Sequence, residues 1–138
     1  MEFSRRDTLA LGLGAAAMTV LPFRVNAASE DAIADFTGGA DVAEGGVTLT
    51  APEIAENGNT VPISVSAEGA SAIMVLAMGN PTPDVAIFNF GELAGSSSAS
   101  TRIRLAGTQE VVAVAKLADG SFARASSEVK VTIGGCGG

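Results

Sequence analysis

The 138-residue chain has no histidine, no tryptophan and no tyrosine, and it has one cysteine. Each absence removes a class of chemistry. Without histidine there is no Ser-His-Asp or Cys-His pair, no haem or zinc-finger ligand set, and no ordinary proton shuttle near neutral pH. One cysteine makes neither a C-x-x-C redox pair nor a thiolate cluster, so no metal site is expected. No G-x-x-x-x-G-K phosphate loop occurs. Fifteen acidic residues against eight basic ones give a net charge of −7, which disfavours nucleic acid and anionic membrane surfaces as partners. The carboxylates fall at turns and strand edges with no visible pairing and read as solvated surface. An acidic site assembled across loops stays open. The composition argues against a self-contained enzyme.

Residues 1–27, MEFSRRDTLALGLGAAAMTVLPFRVNA, have the form of a secretory signal. Arg5 and Arg6 supply the positive region, Leu9 to Leu21 the apolar region, and Val25-Asn26-Ala27 a small-residue cleavage site. The apolar run of about 13 residues is short of the roughly 20 needed to span a bilayer. Ser4, the Arg5-Arg6 pair and Leu9 resemble a twin-arginine (Tat) signal, with Thr8 where that motif prefers Phe. The expectation is periplasmic export of a folded protein, with room for a passenger subunit carried along, and cleavage after Ala27. Residues 28–133 then form one domain and 134–138 a tail.

Ser29 reads as an N-cap, with Glu30, Asp31 and Asp35 in and near the first turns and Ile33 and Phe36 on one face. A short acidic helix ending near Gly38-Gly39 follows. Thereafter the period is two. Val47 and Leu49 alternate with threonines, and Val61, Ile63, Val65 and Ala67 alternate with Pro62, Ser64 and Ser66. Ile103 and Leu105 alternate with Arg102 and Arg104, and Val129, Val131 and Ile133 with Glu128, Lys130 and Thr132. Turn signals separate these runs: 56–59 (ENGN), 79–83 (GNPTP), 95–98 (GSSS) and Asp119-Gly120, the last predicting a hairpin. The pattern predicts an all-β, immunoglobulin-like antiparallel β-sandwich with a short N-terminal helix.

Three segments break the alternation: 72–78 (AIMVLAM), 85–90 (VAIFNF) and 111–117 (VVAVAKL) are apolar on both faces. A sandwich strand has one core face, so the second needs a cover. Either the N-terminal helix or a long loop supplies it, or a partner subunit does. For the partner, Met74, Leu76, Met78, Phe88 and Phe90 are the candidate interface.

The chain ends GGCGG. An unpaired exported cysteine is idle and buried, joined to another chain, or reactive. Burial is disfavoured in a glycine-rich terminus. Gly134, Gly135, Gly137 and Gly138 offer backbone freedom and no Cβ, so Cys136 is expected on a short flexible arm projecting roughly 10 Å beyond Ile133. The nearest cation in sequence is Lys130, so activation of the thiol has to come from a receiving pocket. Two other uses of this tail stay open. One is a structural or adhesive sandwich joined through an intermolecular disulfide. The other is a Gly137-Gly138 thiocarboxylate, although the β-grasp fold of such carriers is not visible.

The terminal VTIGGCGG, Ser100–Phe122 (STRIRLAGTQEVVAVAKLADGSF), Asn80–Phe88 (NPTPDVAIF) and the twin-arginine leader together resemble SoxY, the substrate carrier of bacterial thiosulfate oxidation. The resemblance implies a non-catalytic carrier without a cofactor, with sulfur intermediates attached covalently to Cys136. It implies a heterodimer with a second sandwich subunit, SoxZ, exported as the passenger. It also implies visits by Sox haem enzymes, a sulfate-releasing hydrolase and a sulfane dehydrogenase.

Overall fold

The structure, a computed structural model, describes residues 24–134, with side chains from residue 27. A helix, α1 (Arg24–Thr37), precedes nine strands. These are β1 (Val42–Glu44), β2 (Thr48–Thr50), β3 (Ile54–Asn57), β4 (Val61–Ser66) and β5 (Ala72–Ala77). Then follow β6 (Asp84–Asn89), β7 (Ser98–Ile103), β8 (Gln109–Lys116) and β9 (Phe122–Ile133). The larger sheet runs β1-β9-β8-β5-β6, with β3 also on β9, and the smaller runs β2-β4-β7. The fold is a β-sandwich with an N-terminal helix, as the periodicity predicts. One detail is corrected: β1 and β3 both pair with β9 in parallel, so the larger sheet is mixed.

Between the sheets lies the main core. Val61, Ile63 and Val65 of β4 meet Ile73, Val75 and Ala77 of β5 and Val111, Ala113 and Ala115 of β8. Their neighbours on β4 (Pro62, Ser64, Ser66) point outward, and Ser64 Oγ and Ser100 Oγ share a 2.8 Å hydrogen bond across β4 and β7. The expected turn at 95–98 ends earlier than the sequence suggests. β7 already begins at Ser98: Ser98 and Ser100 take the solvent face opposite Ser66 and Ser64 of β4, while Ala99 and Thr101 face inward opposite Val65 and Ile63.

The β8–β9 connection is the predicted hairpin, closed as a three-residue loop. Leu117 N donates to Ser121 O (2.8 Å) and Gly120 N to Leu117 O (3.0 Å), with Gly120 in the left-handed region at φ 83°. Asp119 Oδ1 accepts from both the amide and the hydroxyl of Ser121. These two bonds hold the Asp119 carboxyl below its usual range, the hydroxyl contributing most.

The second face of β5 and β8 is covered within the chain. Met74, Leu76, Val112 and Val114 form a separate cluster under Ile33 of α1, with Ala32, Phe36, Val42 and Met78 packed against it. Phe36 also meets Phe122 edge-on, with ring centroids 6.0 Å apart. The expected N-cap at Ser29 is corrected. Ser29 is fully buried in the helix interior, four residues before Ile33 and eight before Thr37, on the stripe that faces the sheet. Ala27 and Ala28, strong helix formers, carry the helix through the expected cleavage point. At its other end Gly39 N donates to Ala34 O (3.1 Å), a Schellman closure at the glycines the sequence marks.

Candidate functional site

The twelve-residue β9 is the longest strand and carries the chain from the hairpin to the root of the C-terminal arm. Its first part lies between β1 and β8. Its last part leaves the β8 ladder and pairs with β3 instead: Lys130 with Ile54, Val131 with Ala55, Ile133 with Asn57. Lys130 N donates to Glu53 O (2.9 Å), and on the other flank Val131 N donates to Thr108 Oγ1 (3.0 Å). Short bonds close the end of the strand. Gly58 N donates to Ile133 O (2.7 Å), and Gly58 O accepts from Leu105 N (2.7 Å).

Gly134 follows, half-buried. A Cβ built on it would collide with the carbonyl oxygen of Ala106. This glycine therefore permits close approach of two backbones, a role beyond the arm flexibility expected of it. The other tail residues, Gly135, Cys136, Gly137 and Gly138, lie outside the described residues.

The Ala106 segment is itself held from beneath. Asn80 and Gln109 are buried, at 7% and 8% exposure, and their side-chain amides interlock. Asn80 Oδ1 accepts from Ala106 N (2.9 Å) and from Gln109 Nε2 (2.8 Å), while Asn80 Nδ2 donates to Arg104 O (2.8 Å). Gln109 Nε2 also donates to Gly107 O (3.1 Å), and Gln109 Oε1 accepts from Gly79 N (2.8 Å). Every polar atom of the two amides has a partner, as burial demands. The sequence pattern places Asn80 in a turn and gives Gln109 no role. The available signal was a polar residue at the head of the apolar run 111–115.

The five interface candidates separate onto two faces. Met74 and Leu76 are buried beneath α1, with Met78 half-buried beside them, so α1 already occupies that face. Phe88 and Phe90 are partly buried against the inter-sheet core. A pleated strand alternates its side chains, so Phe88, opposite Ile73, points inward, and Ile87, opposite Met74, emerges at 53% exposure. The large apolar side chains left exposed are Ile54, Ile87, Leu93 and Ile133, the last at the foot of the arm.

Residues 33–136 match the family model of sulfur oxidation protein SoxY. The chain belongs to the SoxY family. The match includes α1 from Ile33, the whole sandwich, the arm root and Cys136. Among solved structures, the sulfur carrier protein SoxY from Chlorobium limicola f thiosulfatophilum is 37% identical, covering 78% of this chain and 98% of that one, with a TM-score of 0.67. A superoxide reductase (neelaredoxin) from Ignicoccus hospitalis is 15% identical, over 63% of this chain and 80% of that one, at a TM-score of 0.55. That likeness is of fold alone. Comparison with curated proteins gives no match. Among the described residues no three His, Cys, Asp or Glu side chains are grouped to hold a metal ion. Nor is any described helix long and apolar enough to cross a membrane.

Proposed function

We propose that this SoxY-family chain is a covalent carrier of sulfur intermediates attached through Cys136, exported to the periplasm by the Tat route as a heterodimer with a SoxZ-like subunit. The observation that carries the proposal is the family match running to Cys136, the only thiol in a chain without histidine. Loading is oxidative. The Cys136 thiol and thiosulfate form a Cys–S–S–SO3⁻ adduct with loss of one proton and two electrons to a Sox haem enzyme. Water then attacks the terminal sulfonate sulfur under a hydrolase. Sulfate and a proton leave, and Cys–S–SH remains for a sulfane dehydrogenase to oxidise.

The chain's own contribution is placement. β9 ends at a root fixed by Gly58 and Ala106, from which the tail carrying the thiol continues. A free cysteine thiol, with an ordinary pKa of ~8.5, is only a few per cent thiolate at neutral pH. Reactivity is therefore conferred by the receiving enzyme, which suits a carrier that must not react indiscriminately.

Intact-mass spectrometry of the native protein tests the proposal. Mass increments of sulfur or sulfonate that a reductant removes are expected. Cys136→Ser is expected to fold and bind the SoxZ-like subunit but to support no thiosulfate oxidation. Retained oxidation in that variant overturns the reading, and covalent chain dimers as the native form would instead favour a structural disulfide.

A further inference from the structure

We infer that Asn80 and Gln109 are positioning residues of the arm root: their interlocked amides shape the Arg104–Gly107 segment into the seat on which Gly134 rests. That the seated arm serves delivery of a cargo rests on the carrier reading of Cys136. The seat itself does not.

The destinations of the hydrogen bonds carry the inference. Buried amides are costly unless paired, and an apolar pair would fill the end of a sandwich with less risk. Here the two side chains satisfy three backbone groups within four consecutive residues: Arg104 O, Ala106 N and Gly107 O. They therefore fix the shape of one connection, between β7 and β8. What lies against that connection is the arm root, since the Ala106 carbonyl leaves no room for a Cβ at 134. The same connection reaches the root by a second route, because Leu105 N holds Gly58 O while Gly58 N holds Ile133 O. Gly79 is tied into the same network. Its amide donates to Gln109 Oε1, and a Cβ there would stand 2.9 Å from Gln109 Cβ, so the 79–83 turn is pressed onto Gln109 as well.

The consequence is a shorter reach. Cys136 is two positions beyond Gly134, which allows roughly 7 Å of extension at ~3.3–3.6 Å per residue, whereas a root released back to Thr132 allows roughly 14 Å. The fixed root ends at Gly134, next in sequence to the exposed Ile133.

The test is the line shape of a nitroxide attached to Cys136, the chain's only cysteine, in the full recombinant chain. Asn80→Ala and Gln109→Ala are expected to shorten the label's rotational correlation time at least about twofold, because residues 133 and 134 join the moving segment. Asn80→Asp keeps the oxygen that accepts from Ala106 N and Gln109 but sets a second acceptor against Arg104 O, and is expected to narrow the line shape as Asn80→Ala does. Met74→Ala, under α1 and away from the root, supplies a matched loss of melting temperature and is expected to leave the line shape native. Spectra of Asn80→Ala and Gln109→Ala identical to native overturn the inference. So does equal narrowing in Met74→Ala, which would make the effect general destabilisation. Should Asn80→Ala not fold, Gln109→Leu, similar in volume, is read by the same criteria. No sulfur chemistry enters this measurement, so an unloaded Cys136 in the mass spectrum counts against the carrier reading and leaves the seat to stand or fall by its own spectra.

Discussion

Replacing Gly134 by alanine is the sharpest test of how the arm is rooted. The added methyl group would meet a backbone carbonyl oxygen, that of Ala106, which cannot swing aside as a flexible side-chain end can. Relief requires the end of β9 to lift. That movement breaks both the bond from Gly58 N to Ile133 O and the one from Leu105 N to Gly58 O, each 2.7 Å. At about 1 kcal/mol net for each backbone bond, the loss is about 2 kcal/mol. Alanine returns about 0.4–1 kcal/mol by restricting the unfolded chain. The balance is about 1–1.5 kcal/mol of destabilisation, or roughly 4–12 °C in Tm for a domain of about 100 residues. Urea unfolding gives the energy, with Gly95→Ala as control: Gly95 has open space around its Cβ position and no left-handed φ. Amide exchange reports the mechanism, with the Gly58 and Leu105 amides expected to lose protection. If Gly134→Ala matched Gly95→Ala in midpoint and kept both amides protected, the reasoning about a close-packed root would be refuted.

Other outcomes follow from the same structure. Leu76→Ala removes a fully buried side chain beneath α1 and is expected to cost about 2–5 kcal/mol. Dye binding should rise with it, because the helix loses part of its seat. The Asp119 carboxyl is lowered by its bonds to Ser121, so its contribution is full above the ordinary carboxylate pKa. The contribution fades as pH falls through that value towards the folded one. An NMR titration should therefore place the Asp119 midpoint below the usual 3.8, and Asp119→Asn should flatten the acid limb of the stability profile. Arg124 Nε lies 3.4 Å from Glu44 Oε1, too long for a good hydrogen bond, and Glu44 is 78% exposed. Glu44→Gln is expected to shift the unfolding free energy by less than about 1 kcal/mol.

Much of the fold is written in local pattern. The threonines around Leu49 and the alternation from Val61 to Ala67 each carry the period of a half-buried strand. Asp119-Gly120 marks the hairpin, and Gly38-Gly39 marks the end of the helix. Ser29 misled, because a serine can cap a helix or be buried inside one, and the choice depends on the sheet beneath it. Met74 and Leu76 were legible as needing a cover; whether helix or partner supplies it depends on where α1 lands. Such residues report their burial, not their neighbour.

By itself, then, the sequence determined a chain with one thiol, no histidine, strands of period two and a membership in the SoxY family that runs to Cys136. Composition and periodicity are local properties, and they suffice for these. The tertiary structure alone decided that β1 and β3 flank β9 in parallel, that α1 closes the second face, and that Gly134 is a close-contact glycine. It alone also joined Asn80 to Gln109, 29 residues apart in sequence, beneath the arm root. Those outcomes depend on which distant backbones come within hydrogen-bonding distance, and no run of neighbouring residues encodes that distance.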